Sequence, residues 1–105
     1  MSKREEISEL FFEEAETIAR ALDDRDDLRG YVLRIHLLTE ALMERCMRIA
    51  IGTEVADAVL SAELTYDRKL TICSKLKLDD GGALFSSDTI GSLRKLNGLR
   101  NELAH

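Results

Sequence analysis

Near the end of the chain a guanidinium, an amide and an imidazole stand close together. They are Arg100, Asn101 and His105, in the string Leu99-Arg100-Asn101-Glu102-Leu103-Ala104-His105. On a helix Asn101 and His105 are i and i+4 and share a face. Arg100 lies about 100° around from Asn101, on a long and flexible stem. A guanidinium is a permanent cation whose planar fork matches phosphate or carboxylate oxygens, and an imidazole titrates near neutral pH. The trio therefore suits a single anionic group. A plainer reading of the same residues pairs Arg100 with carboxylates of its own helix or a neighbour and leaves Asn101 to bond a nearby turn.

Other chemistries lack their residues. The sequence holds no GxxxxGK[ST] and no GxGxxG to cradle a nucleotide phosphate, and no HExxH. Two histidines, His36 and His105, leave little for a histidine metal site, and the Glu-x-x-His pairs of a di-metal bundle are missing. Cys46 and Cys73 stand far apart without CxxC spacing, which points away from a disulfide scaffold or a thiolate zinc site. No metal or cofactor is expected. Cys46 and Cys73 read as buried small hydrophobes, Met43 and Met47 as packing, and His36 as structural or exposed.

These groups need a scaffold. The 105 residues suffice for one domain. Hydrophobic residues at 45% against 33% charged give an ordinary globular balance, and the absence of Pro leaves helices unbroken. The net charge of −5 is uneven. Residues 1–30 hold five basic and ten acidic groups, whereas residues 91–105 hold three and one. An acidic body with a basic end is a poor non-specific nucleic-acid binder but allows a local phosphate site. The start MSKREEISEL carries no apolar h-region and no apolar run reaches 18 residues, so a cytoplasmic protein without a membrane span is expected.

The spacing predicts an all-α, up-and-down bundle of about four main helices in a single domain, 1–105. Ser2-Lys3-Arg4-Glu5 is a capping box for a helix over 2–23, with Ile7, Leu10, Phe11, Ala15, Ile18 and Leu22 on its apolar face. The glutamates of residues 5–16 form its solvated side. In the connector 23–27, Asp26 or Asp27 caps the next helix. Residues 28–51 are apolar nearly all round, as expected of a central helix or one facing another subunit. Gly52-Thr53 ends it, 54–60 form a short helix, and Thr65 caps a helix through Leu78. Asp79-Asp80-Gly81-Gly82 is a loop. Ser86, Ser87 and Asp88 are alternative caps for the last helix, which carries Ile90, Leu93, Leu96, Leu99 and Leu103 at helical spacing.

The Arg-to-His spacing resembles the R-x4-6-H motif of the HEPN superfamily, in its R-N-x-x-A-H form. The likeness extends to Leu37-Leu38-Thr39-Glu40-Ala41-Leu42, Arg68-Lys69-Leu70, Leu76-Lys77-Leu78 and Leu96-Asn97-Gly98-Leu99-Arg100-Asn101, which follow in the order found in small bacterial HEPN-like proteins. Residues 29–105 are most similar to the mannitol operon repressor group. The resemblance implies a helical bundle that forms a homodimer. It further implies a metal-independent endoribonuclease, of the kind found in toxin–antitoxin and defence systems, whose two motifs meet at the dimer interface. His105 would be the general acid or base, Arg100 would bind the scissile phosphate, and Asn101 would orient the phosphate or the histidine. RNA is then the substrate. Glu40, on the central helix, is expected to fix Arg100 through a buried ion pair. The alternative is a non-catalytic interaction module that regulates transcription through a protein partner, an antitoxin or a regulator. In the family more helix follows the motif. This chain is therefore expected to be either a piece truncated after His105 or a member that has lost that support.

Overall fold

Among the described residues the apolar periodicities are met by five helices: α1 (Lys3–Leu22), α2 (Leu28–Ile51), α3 (Thr53–Leu60), α4 (Tyr66–Lys75) and α5 (Ser87–Ala104). The computed structural model describes residues 1–22 and 28–104. Among them there is no strand, only an isolated antiparallel bridge between Lys77 and Ala83. The chain is an all-α bundle of four main helices with α3 as a short link. No described helix is long and apolar enough to cross a membrane. The connector 23–27 with its two candidate caps, the side chains of Ile18 and Leu22, and His105 lie outside the described residues.

α2 is the spine. At 1.5 Å per residue its 24 residues span about 36 Å, most of the 42 Å long axis of the molecule. It packs against each of the other four helices. Leu42, Met43, Cys46, Met47 and Ala50 from α2 meet Ile7 and Leu10 of α1, Leu70 and Cys73 of α4 and Ile90 of α5 in one core. Within the chain α2 is not covered all round. Arg34, Leu37, Ala41 and Arg45 follow at helical steps and face solvent, with Leu37 64% exposed. Gly52 ends α2 at φ 87° and ψ 151°, a conformation that a side chain makes costly, and α3 starts at once.

α1 is fastened mainly at its start. Ser2 Oγ accepts the Glu5 N–H at 3.1 Å, half of the expected capping box, while the Glu5 carboxylate takes the Ser2 hydroxyl instead of a backbone N–H. Arg4 donates from Nε and Nη2 to both oxygens of Asp80 and from Nη1 to the Ala83 carbonyl. Asp80 also accepts the Gly82 N–H at 2.8 Å. The Arg4 guanidinium, then the Gly82 amide, hold the Asp80 carboxyl below its usual range. Farther along, Phe11 meets Phe85 edge-on at 5.6 Å. Ala15, expected on the core face, is exposed, and so is Phe12.

α4 stops at Lys75, three residues short of the expected Leu78. Leu76 is extended, the Leu84 N–H donates to its carbonyl, and the Leu78 N–H donates to Gly82. Apolar residues two apart fall on one side of an extended chain but on different sides of a helix. The extended form lets Leu76 and Leu78 both pack on the core. Of the three candidate caps for α5 the residue used is Ser86, whose Oγ accepts the Thr89 N–H at 3.2 Å.

Candidate anion-binding cleft

The first residues of α4 and the C-terminal half of α5 close over the middle of α2. Between them lies an open cavity of about 510 Å³ whose wall includes His36, Glu40, Tyr66, Asn97, Arg100 and Asn101. Two residues singled out in the terminal string therefore reach one cleft, together with Glu40. His105, the third, lies outside the described residues.

α2 places His36 and Glu40 one turn apart on the same face. His36 is buried, and two contacts fix its ring. Its Nε2–H donates to Asn97 Oδ1 at 2.9 Å, and its face stacks on Tyr66 with centroids 4.0 Å apart and planes inclined by 24°. Thr39 donates its hydroxyl hydrogen to the His36 carbonyl, so the bond of 2.8 Å between Thr39 and Tyr66 runs from the Tyr66 hydroxyl to Thr39 Oγ1. Burial pushes the Tyr66 phenol up, against the opposing bond with Thr39. Every buried side-chain polar atom described has a partner. The network ties α2, α4 and α5 together at the cleft floor. Thr65 caps α4 by accepting the Arg68 N–H at 3.2 Å, which sets Tyr66 at the first helical position.

The expected Glu40–Arg100 ion pair is not formed. Glu40 Oε2 accepts instead from Lys69 Nζ at 3.2 Å, and Glu44 Oε1 takes a second Lys69 hydrogen at 2.9 Å. Lys69 is 9% exposed, buried between these two carboxylates of α2. Burial acts against its ammonium, but the bonds to Glu44 and Glu40 outweigh it and hold the pKa above its ordinary value. Arg100 donates to its neighbour Asn101 at 3.2 Å and has no carboxylate partner among the described residues. Its guanidinium is left to face the cavity. Among the described residues no group of three or more His, Cys, Asp or Glu side chains is placed to hold a metal ion.

Three contributors were not singled out from the sequence. Asn97 lies four residues before Asn101, so the one-face argument that joins Asn101 to position 105 also reaches it. His36 is i−4 to Glu40, but it sits in an apolar run. Tyr66 carried no signal beyond following the Thr65 cap. No model of a known protein family, no curated protein and no solved structure matches this chain.

Proposed function

We propose that the chain is a HEPN-type, metal-independent endoribonuclease domain and that this cleft holds the scissile phosphate. The observation that carries the reading is the convergence of Arg100 and Asn101, from the motif, on a polar cavity where Arg100 makes no ion pair with a carboxylate among the described residues. In the reaction the RNA 2′-oxygen attacks the adjacent phosphorus and the bond from phosphorus to the 5′-oxygen breaks. A base removes the 2′-hydroxyl proton and an acid returns one to the leaving 5′-oxygen. The products are a 2′,3′-cyclic phosphate and a free 5′-hydroxyl. Arg100 binds the non-bridging oxygens and stabilises charge that grows in the transition state. Asn101 orients that group. His105, four residues after Asn101, supplies the imidazole for proton transfer, and pairing of two chains brings two such sites together.

The test is cleavage of a labelled structured RNA in the presence of a chelator. The wild-type chain is expected to leave cyclic-phosphate ends. Arg100→Ala and His105→Ala are expected to lose about two orders of magnitude in rate with unchanged melting. Equal cleavage by all three would remove these residues from the site, and no cleavage by the wild type would remove the enzyme reading.

A second reading has its own observation. Leu37 on the cleft wall is 64% exposed and Leu99 nearby on α5 is 43% exposed. Exposed leucines beside a cleft suit a protein partner, so an interaction module like the mannitol operon repressor group takes the weight if no RNA is cut.

A further inference from the structure

The cleft alone is a weak trap for a polyanion. Arg100 faces it, but so do Glu40 and Asp67, and the Lys69 ammonium is shared between two carboxylates. Affinity for RNA comes largely from phosphates neutralised by Lys and Arg. An RNA strand in this cleft needs cations beyond it.

The molecule has them one step along the same seam. α4 and α5 run antiparallel: the start of α4 faces the end of α5 at the cleft, and the end of α4 faces the start of α5 at a second cavity of about 430 Å³. Lys75 and Arg94 line that second cavity with the hydroxyl-bearing Ser74 and Ser87, and no carboxylate lines it. Both cations are exposed, and neither has an ion-pair partner among the described residues.

On α5 a single stripe joins the two cavities. Ser87, Gly91, Arg94, Gly98 and Asn101 follow at alternating steps of four and three, which keeps them on one face. A glycine inside a helix costs about 0.5–1 kcal/mol against alanine, and nothing lies within 4 Å of where a Cβ would stand at Gly91 or Gly98. Packing within the chain therefore does not demand either glycine. They leave a smooth floor on which a backbone can lie. From Arg94 to Asn101 the helix rises about 10 Å, or roughly three steps of a stacked strand at ~3.4 Å each.

We propose that Lys75 and Arg94 each bind a phosphate of the same RNA strand, about three nucleotides along from the one held by Arg100, so that the strand runs along the α4–α5 seam. The inference rests on the RNA reading of the cleft. The Lys75–Arg94 end of the stripe does not suit a second copy of this chain, because a two-fold pairing centred there would set Arg94 against itself, whereas pairing at the Asn101 end leaves it free for RNA.

The test is binding of a fluorescein-labelled 2′-O-methyl oligouridine, which lacks the attacking hydroxyl, across a salt series. The wild type, Lys75→Gln/Arg94→Gln and Arg100→Gln are compared, with melting curves to establish that each is folded. The double variant is expected to bind at least about tenfold more weakly at low salt, and its log–log salt slope to fall by about 1.4, at ~0.7 per single-strand contact. Arg100→Gln is expected to lose only about 0.7 of slope. Wild-type binding that weakens with Arg100→Gln but not with the double variant would overturn the second position and leave the cleft reading intact. Absence of wild-type binding would overturn both. Loss of self-association in the double variant, seen by sedimentation with oligonucleotide affinity unchanged, would assign the seam to another copy of the chain and overturn the proposal.

Discussion

Lys69 joins two helices through one ammonium. Its partners Glu40 and Glu44 sit a turn apart on α2 and are only a quarter to a third exposed. Replacing it by an apolar side chain of similar length leaves two carboxylates facing each other without a cation. Lys69→Met is therefore expected to cost about 1–3 kcal/mol of stability, less than a fully buried pair because water reaches the carboxylates. Adding Glu44→Gln to Lys69→Met is expected to recover part of that loss. Urea unfolding of the two variants checks both, and equal midpoints for Lys69→Met and the wild type would show the triad to be idle. Glu40 was legible as a polar residue in an apolar helix, but its partner was not. Lys69 and Arg100 are both cations on later helices, and Lys69 is 29 positions away in sequence. Only packing chooses between them. That choice leaves Arg100 with Asn101, and without a carboxylate partner among the described residues.

Among the elements, α4 shows most clearly what spacing encodes and what it hides. Its start is written locally, because Thr65 precedes the helix and its hydroxyl accepts the Arg68 N–H. Thr65→Ala is expected to cost about 1 kcal/mol and to loosen Tyr66 beneath His36, which a melting curve together with the Tyr66 fluorescence would register. Its end is not local. Leu76 and Leu78 read as helical apolar positions until the Leu84 N–H bond to Leu76 pulls the segment into an extended form. The bounds of α2 were legible because Gly52 marks its end, whereas the solvent-facing stripe through Leu37 was not, since periodicity counts apolar residues without saying which ones are covered. α5 carries two glycines with open space around them. Gly91→Ala is expected to stabilise the chain by about 0.5–1 kcal/mol, and a lower melting temperature would mean that the backbone there needs its freedom.

For the molecule as a whole, four buried or nearly buried groups hold their protons more tightly folded than unfolded. Burial pushes the Cys46 and Cys73 thiols up to about 12, and burial likewise raises the Tyr66 phenol. Lys69 is raised by its carboxylates. In each case the native state binds more protons above the unfolded pKa, so stability falls as pH rises. The fall begins near the unfolded thiol value of about 8.5, and each thiol adds a slope of up to about 1.4 kcal/mol per pH unit. The urea midpoint is expected to be flat from neutral pH to about 8 and to drop steeply beyond, and a flat profile through about pH 11 would contradict the burial of these groups. The all-α class and the four main helices were legible from periodicity. The arrangement of the helices was not, because contacts such as Arg4 with Asp80 join residues 76 positions apart.

The same two thiols have a practical consequence for spectroscopy. Cys46 and Cys73 have no exposed surface, and only the thiolate is an effective nucleophile. A maleimide dye offered near neutral pH is therefore expected to leave the wild-type chain unlabelled, as mass spectrometry would report. A single cysteine introduced at Phe12, 76% exposed on α1 and outside every residue of the cleft wall, then becomes the sole reactive handle. Neither native cysteine needs removal from the core, and a fluorophore at that point sits on a helix that contributes no residue to the cleft wall.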